Sequence, residues 1–131
     1  MVRGLRNNNP LNIRRSKDQW LGMAPKQTDK SFVQFTSRIY GYRAGFRIIR
    51  TYLGKGVDTI GKIIKRWAPA NENNTQAYIA FVSRSTGIDA GHVVRWEDRD
   101  DLVKIVRSMV QMECGIIEDT EIIRRAYELA G

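Results

Sequence analysis

The feature that most constrains this chain is the recurrence of apolar residues at helical spacing in five segments, each preceded by a residue that caps helices. The five predicted helices start after Ser37, Asp58 or Thr59, Asn73 or Asn74, Asp98, and Asp119 or Thr120. Residues that stop helices follow four of them, namely Gly54, Pro69, Gly87 and Gly115. The pattern predicts a mostly α-helical fold of about five or six helices.

One short β element is expected near the front of the chain. Phe32, Val33 and Phe35 lie in SFVQF between polar residues, and QWLGM precedes them, a pattern typical of the two strands of a small hairpin. No repeat or low-complexity tract divides the chain, so residues 1–131 are interpreted as a single domain. The predicted fold class is mostly α, in an α+β arrangement with one small β-hairpin.

Charge is distributed unevenly along the chain. Residues 1–70 hold fifteen Lys and Arg against three Asp and Glu, a net of +12, whereas residues 71–131 hold seven against eleven, a net of −4. This asymmetry predicts a polyanionic partner on one face, which is nucleic acid, anionic lipid or bacterial cell wall. The alternative is that the basic charge serves solubility alone.

Several classes of site are excluded by residue usage. Cys114 is the single cysteine and His92 the single histidine, so neither a disulfide, a metal site nor a Ser-His-Asp triad is expected, and no cofactor motif appears. The N-terminus lacks the apolar stretch of a signal peptide, and no segment reaches the length of a membrane span. We therefore expect a protein made in the bacterial cytoplasm, without a membrane partner.

Glu113 stands at the end of an apolar helical stripe. Leu102, Val106 and Met109 lie at positions i, i+4 and i+7, and the next position of the stripe is Glu113. In an apolar pocket, desolvation and the negative end of the helix dipole would both raise the pKa of this carboxyl toward the range of a general acid. Helix ends also commonly carry solvated glutamates, and spacing alone leaves that alternative open.

The opening segment NNNPLNIRR contains more amides than a turn requires. Asn favours turns and caps, and the residue before Pro10 avoids the helical region, which accounts for one or two of these asparagines. The remaining polar residues are interpreted as one wall of a binding site, formed by Asn8, Asn9, Asn12 and Arg14.

Further candidate ligand contacts are aromatic. Trp20 lies among polar residues, and Tyr40 begins a helical stripe, so either ring can stack on a sugar or a base. Core packing is the alternative for both.

Carboxylates other than Glu113 lie in polar loops. Glu72 and Asn73 belong to RWAPANENNT, where Glu72 can instead favour the positive end of the following helix. Asp18 and Asp29 flank the predicted hairpin. Asp29 and Glu72 are the candidates for the second carboxylate that a two-acid glycosidase requires.

NNNPLNIRR, QWLG, FVQFTSRIYGYRA and RWAPANENNTQAYI together resemble a family of small phage- and prophage-encoded proteins, often labelled virion structural proteins and linked with a lysozyme-like fold. The resemblance runs from about Arg3 to Gly115. The order of the asparagine-rich segment, the Trp20–Gly22 turn and Phe32–Ser37 is also similar to that of flagellar-type glucosaminidases.

In those enzymes, a helix that ends in the catalytic glutamate comes before the asparagine-rich segment. Here such a helix lies at the far end, where IVRSMVQMECG resembles the A-I-x-R-Q-E-S-G helix of lytic transglycosylases, with Glu113 at the glutamate and Gly115 at the glycine. A circular permutation would reconcile the two orders, provided that the chain ends meet in space.

The resemblance implies a lysozyme-like domain of a phage or prophage that cleaves the β-1,4 glycan strands of peptidoglycan, with Glu113 as the catalytic acid. Expected partners are peptidoglycan and other virion proteins, and the protein is expected to be a monomer that reaches the cell wall in the virion or after holin release.

Two rival functions remain. One is a non-catalytic virion or wall-binding protein on the same fold. The other is a nucleic-acid-binding protein, although no nucleic-acid motif is present and nucleic acid is not the expected partner.

Overall fold

A computed structural model describes residues 1–131 and contains six helices. They are α1 (Arg3–Arg6), α2 (Arg38–Gly54), α3 (Ile60–Trp67), α4 (Thr75–Thr86), α5 (Arg99–Cys114) and α6 (Thr120–Ala130). The mostly α-helical prediction is confirmed, and α1 is a single additional turn. None of the six helices combines the length and the apolar character that crossing a bilayer would require.

Local capping explains where several helices begin and end. The side chains of Thr59, Asn74 and Asp119 accept hydrogen bonds from backbone N–H groups in the first turns of α3, α4 and α6. Gly87 and Gly115 follow α4 and α5 with φ angles of 73° and 72°, the left-handed conformation that glycine adopts without strain. These boundaries were predictable because each depends on residues close in sequence.

The helices enclose one apolar core. Helix α2 packs against α6, α5 packs against both α4 and α6, and α3 packs against α4. Phe46 of α2 is fully buried, and its ring meets the rings of Trp96 and Tyr127 edge-on, with centroids 6.3 and 5.6 Å apart. These contacts anchor α2 to Tyr127 of α6 and to Trp96 in the loop before α5.

The predicted β-hairpin is corrected to two isolated antiparallel bridges, Arg14 with Phe32 and Met23 with Phe35. Side chains satisfy backbone groups that a hairpin ladder would otherwise pair. The Gln27 amide donates to the carbonyls of Ala24 and Gln34, and the Gln34 side-chain oxygen accepts from the N–H of Thr28. The segment is therefore a compact loop held against the helices.

Candidate functional site

Glu113 lies in the last turn of α5, where its half-buried carboxylate contacts two neutral donors. The Asn12 side-chain amide donates to Oε1 over 2.9 Å, and the Tyr78 hydroxyl of α4 donates to Oε2 over 3.0 Å. No Lys or Arg forms an ion pair with Glu113. The carboxylate is thus positioned by hydrogen bonds without a compensating positive charge.

Burial is the largest influence on the acidity of this group. It raises the pKa of Glu113 above the ordinary value of 4.5, while the hydrogen bonds from Asn12 and Tyr78 act in the opposite direction. Burial and the nearby Glu113 charge also raise the pKa of Tyr78 well above its usual range, so its hydroxyl stays protonated and remains a donor. This environment favours a carboxyl that holds its proton to higher pH than a solvated glutamate.

The geometry of the asparagine-rich segment places Asn12 against Glu113. Asn8 and Asn12 have φ angles of 52° and 55°, in the left-handed region that Asn tolerates better than most residues. Between them, the fully buried Asn9 accepts a bond from the N–H of Ile13 and donates to the carbonyls of Ile13 and Val33, each over 2.9 Å. Asn9 therefore has a structural role, in which it joins the backbone at Ile13 to the backbone at Val33. The expectation that it faces a ligand is corrected.

The N-terminal turn closes tightly over the end of α5. A Cβ atom at Gly4 would lie 2.7 Å from the Cys114 sulfur and 2.8 Å from the Asn12 side-chain oxygen, so only glycine fits there. The Cys114 thiol contacts the Pro10 carbonyl at 3.2 Å, and burial raises its pKa to about 11. Close packing at Gly4 and the contact of Pro10 with Cys114 therefore hold the segment that carries Asn12 against the end of α5.

A cleft of about 250 Å³ adjoins this site. The N-terminal segment forms one side and helices α2 and α3 form the other, with the lining residues Asn12, Ile13, Arg14, Ser16, Asp18, Trp20, Ile48, Tyr52 and Trp67. Glu113 does not itself line the cleft, but it contacts a lining residue, Asn12. Three half-buried aromatic rings and several hydrogen-bonding groups thus share one groove beside the carboxylate.

The cleft includes some of the predicted site residues. It is lined by Asn12, Arg14 and Trp20. Glu72 does not line the cleft, but its carboxylate lies 3.4 Å from the guanidinium of Arg14. The indole N–H of Trp20 is buried and has no hydrogen-bond partner.

Three other predicted contact residues, Asn8, Tyr40 and Asn73, are not among the residues that line the cleft. The Asn73 side chain donates to the Pro69 carbonyl, an intraloop bond, and Asn8 donates to the Phe35 carbonyl and lines a different cavity. The Tyr40 ring lies against Gly22, where any Cβ atom would overlap it, so Tyr40 is a packing residue.

Asp29 is also corrected, from candidate second carboxylate to structural acid. Arg3 donates to both of its oxygens over 2.6 and 2.7 Å, and the side chain of Asn7 and the backbone N–H groups of Ser31 and Phe32 donate as well. The Arg3 guanidinium and these further donors hold the pKa of Asp29 far below its usual range. Its oxygens are committed to closing the turn before Phe32.

Asp18 is the one acidic residue that lines the cleft. Its carboxylate accepts a bond from the Ser16 hydroxyl and has no cation partner. The sequence places it beside the predicted hairpin, and the contact of Tyr78 with Glu113 was not predicted. The available signal for Tyr78 was its hydroxyl, because a buried tyrosine in an apolar stripe needs a hydrogen-bond partner. No group of three His, Cys, Asp or Glu side chains is arranged to hold a metal.

Comparison with known proteins gives one informative relative. No family model matches the chain. Over 118 residues the chain is 44% identical to Protein P5 of Pseudoalteromonas phage PM2, an alignment that covers 87% of this chain and 72% of Protein P5. Identity at this level over most of both chains supports a phage origin. The chain belongs to the family of Protein P5 of phage PM2.

Proposed function

We propose that the protein is a peptidoglycan-degrading glycosidase of phage or prophage origin, built on a lysozyme-like domain, with Glu113 as its general acid. The observation that carries the proposal is the contact of Glu113 with Asn12 and Tyr78, next to a cleft lined by three aromatic rings. The phage relationship is consistent with a protein that acts on the bacterial wall after delivery in the virion or release by a holin.

The surroundings of Glu113 suit proton donation. A general acid must hold its proton near the working pH, and burial raises the pKa of Glu113 in that direction. An arginine or lysine partner would stabilise the carboxylate and oppose this effect, whereas Asn12 and Tyr78 are neutral donors. Glu113 therefore has the character of an acid that can both release and recover a proton.

The adjoining cleft has the composition of a carbohydrate site. Trp20, Tyr52 and Trp67 offer apolar ring surface, and Asn12 and Ser16 offer hydrogen-bonding groups for hydroxyl and acetamido substituents. Sugar rings present one apolar face and a polar rim, so a groove of this kind complements them.

In the proposed reaction, Glu113 protonates the glycosidic oxygen as the bond between that oxygen and the anomeric carbon breaks. The resulting Glu113 carboxylate then removes the proton from a hydroxyl of the same sugar, which attacks the anomeric carbon and yields an anhydro product. Hydrolysis is the alternative outcome if a second carboxylate activates water. Asp18, which lines the cleft, and Glu72, which contacts Arg14, are the acids available for that role.

The lysozyme-like assignment rests on motif order and on one long-range contact. Asn12 and Glu113 are 101 residues apart in the chain yet share a hydrogen bond. A permuted lysozyme requires this meeting, because its asparagine-rich segment and its glutamate helix must lie next to each other.

Digestion of purified insoluble peptidoglycan tests the proposal. The wild-type protein is expected to release soluble fragments, and Glu113→Gln, which keeps the size of the side chain, is expected to be slower by about 10²- to 10⁴-fold. Glu121→Gln, at an exposed position on α6, is the matched control and should retain activity. Equal rates for wild type and Glu113→Gln would overturn the assignment of Glu113.

A second candidate function is a non-catalytic virion or wall-binding protein. Both Glu113 oxygens accept bonds from within the protein, an arrangement that also fastens the N-terminal segment to α5 and α4. This candidate predicts that wild type and Glu113→Gln bind peptidoglycan equally in a pelleting assay and that neither releases fragments.

A further inference from the structure

A second groove, away from the cleft, lies between α2 and α6. The two helices run side by side in the same direction. Arg38, at the start of α2, pairs with Glu118 just before α6. Arg47, farther along α2, donates to the carbonyl of Ala130 at the end of α6 over 2.9 Å. One side of this α2–α6 groove is therefore formed by α2 and the other by α6.

A cavity of about 480 Å³ opens at the front of the α2–α6 groove. Ile39 of α2 and Ile122 of α6 line it from the two sides. Its charged lining residues are Arg38 and Arg125, and no acidic residue lines it. The front of the groove is therefore positively charged.

Three further arginines continue the positive charge along α2. Arg43, Arg47 and Arg50 follow Ile39 at spacings of four, four and three residues, so they lie on the same side of the helix. Arg43 donates to the Leu129 carbonyl over 3.3 Å, and Arg50 donates over 3.5 Å to the carbonyl that also receives Arg47. These contacts with α6 place all three guanidinium groups at the groove.

Most of the arginines along the groove have no negative partner in the protein. No carboxylate lies within ion-pair distance of Arg43, Arg47, Arg50 or Arg125. The α6 carbonyls that three of them contact carry only partial charge, and each guanidinium uses one of its several N–H donors there. Capping of α6 therefore explains why these side chains lie where they do, but it leaves their positive charge uncompensated.

We propose that the α2–α6 groove binds the phosphate backbone of double-stranded nucleic acid, without regard to base sequence. A guanidinium pairs with a phosphate through two parallel hydrogen bonds, a geometry that suits this row of arginines. The stretch from Ile39 to Arg50 is about 16 Å long, which corresponds to about four or five phosphates along one DNA strand. The number of arginines thus matches the number of phosphates within reach.

The aromatic ring nearest to these arginines favours a duplex over a single strand. The guanidinium carbon of Arg50 lies 5.0 Å from the centroid of the Trp96 ring. The same ring stacks on Tyr127, with centroids 4.5 Å apart, and meets Phe46 edge-on. Proteins that bind single strands present rings on which bases stack, whereas Trp96 is already engaged within the protein.

A polymer chain fits the groove better than a membrane surface does. Hydrogen bonds to α6 hold Arg43 and Arg47 between two helices, where a narrow backbone can follow them. Beyond Arg50, the acidic residues Glu97 and Glu128 lie together beside Tyr127, and they would repel a broad anionic surface that extended past the arginines. The positive track is therefore long and narrow.

The groove and the cleft lie on different sides of α2. Ile48 and Tyr52 line the cleft, and at about 100° per residue they are turned away from Arg43 by about 140° and 180°. A nucleic acid and a glycan would thus occupy separate sites. This inference does not rest on the proposed function.

Fluorescence anisotropy with a labelled DNA duplex of about 20 base pairs tests the inference. With about four phosphate contacts, we expect affinity to fall about 100-fold between about 50 mM and about 200 mM salt. A duplex of unrelated sequence should bind with the same affinity to within about twofold. Glu113→Gln should bind the duplex as the wild type does.

Arg125→Gln is the most selective variant, because Arg125 is exposed and has no ion-pair partner whose loss could alter folding. It should weaken duplex binding about fivefold and make the salt dependence shallower by about one contact. The matched control is Arg84→Gln, which removes an equally exposed and unpaired arginine from α4 and should change affinity by less than about twofold. The double variant Arg47→Gln with Arg50→Gln should weaken binding about 25-fold, with urea denaturation as the check that it is folded.

Equal effects of Arg125→Gln and Arg84→Gln, or no duplex binding by the wild type at low salt, would overturn the inference. Binding to phosphatidylglycerol vesicles that Arg125→Gln weakens, without binding to the duplex, would overturn it in favour of a membrane surface. Tighter binding of a single strand than of the duplex would overturn the assignment to a double-stranded ligand. Duplex binding by a wild-type protein that releases no peptidoglycan fragments would support the inference and count against the proposed function alone.

Discussion

Glu113, in the last turn of α5, and Glu118, in the loop between α5 and α6, are held in opposite ways. Glu118 is buried and accepts bonds from the guanidinium of Arg38, from the hydroxyl of Tyr42 over 2.8 Å and from the N–H of Asp119 over 3.1 Å. Glu113 is half-buried and accepts only from Asn12 and Tyr78. One carboxylate is compensated by a positive charge, and the other is not.

The difference separates a structural acid, Glu118, from the proposed general acid, Glu113. The charge of Arg38 balances that of Glu118, and the pair ties the start of α2 to the loop before α6. Glu113 has no such partner, so its ionised form is held less firmly and its pKa is raised by burial. The comparison predicts that changes around Glu118 alter stability, whereas changes around Glu113 alter proton affinity and the proposed activity.

The largest effect is expected from Glu118→Ala. It removes the acceptor for Arg38, Tyr42 and a backbone N–H, and we expect the free energy of unfolding to fall by about 3 kcal/mol. Urea denaturation measures this loss. Glu121→Ala removes an exposed α6 glutamate paired only with Arg124, and it should cost no more than about 0.5 kcal/mol. Equal losses for the two variants would refute the structural role of Glu118.

A second comparison concerns the two asparagines of the opening segment. Asn9→Ala leaves the N–H of Ile13 and the carbonyl of Val33 without a partner in the core, and it removes one of the two donors to the Ile13 carbonyl. We therefore expect a loss of about 2 kcal/mol in the free energy of unfolding, measured by chemical denaturation. Asn12→Gly keeps the left-handed backbone available and should cost about 1 kcal/mol. A larger stability loss at Asn12 than at Asn9 would mean that their roles are reversed.

Removing one hydroxyl beside each glutamate gives a smaller and more selective test. Tyr42→Phe should lower the free energy of unfolding by about 1 kcal/mol and leave the pH dependence of the proposed peptidoglycan cleavage unchanged. Tyr78→Phe removes a bond that lowers the pKa of Glu113, so the alkaline limb of the activity profile should move to higher pH. An unchanged limb in Tyr78→Phe would show that Glu113 does not set it.

The smallest expected effect is the pH dependence of stability caused by Glu113 itself. The pKa of Glu113 is higher in the folded protein than its ordinary value of 4.5. Its favourable contribution to the free energy of unfolding is therefore fully present below pH 4.5 and is lost as the pH rises through the pKa of the folded protein. Glu113→Gln should lack this component. Denaturation curves from pH 4 to pH 8 should therefore show wild type losing stability relative to the variant as pH rises, and the opposite trend would contradict the raised pKa.

Much of the fold was predictable because it depends on local chemistry. The caps at Thr59, Asn74 and Asp119 and the glycines after α4 and α5 act within one turn of the helix that they bound. The hairpin was less predictable, because the side chains of Gln27 and Gln34 compete for backbone groups that strand pairing would use. Alternating apolar residues do not reveal that competition.

The site was predictable only in part. The apolar stripe of α5 indicates Glu113. Nothing in NNNPLN distinguishes the buried, structural Asn9 from Asn12, because the difference depends on backbone angles and on hydrogen-bond partners far along the chain. Glu118 was missed because a lone acid shortly before a helix resembles a surface residue. Its apolar neighbours Ile116 and Ile117 were the available signal.

The hydrogen bond between Asn12 and Glu113 also has a consequence for biosynthesis. Asn12 is translated 101 residues before its partner, and the Pro10 contact with Cys114 spans 104 residues. At ordinary elongation rates, about 5–20 s pass between the two ends of that contact. The proposed acid therefore acquires its surroundings only after the 101 residues that separate it from Asn12 have been made, and a nascent chain that stops before Glu113 carries the asparagines without the glutamate.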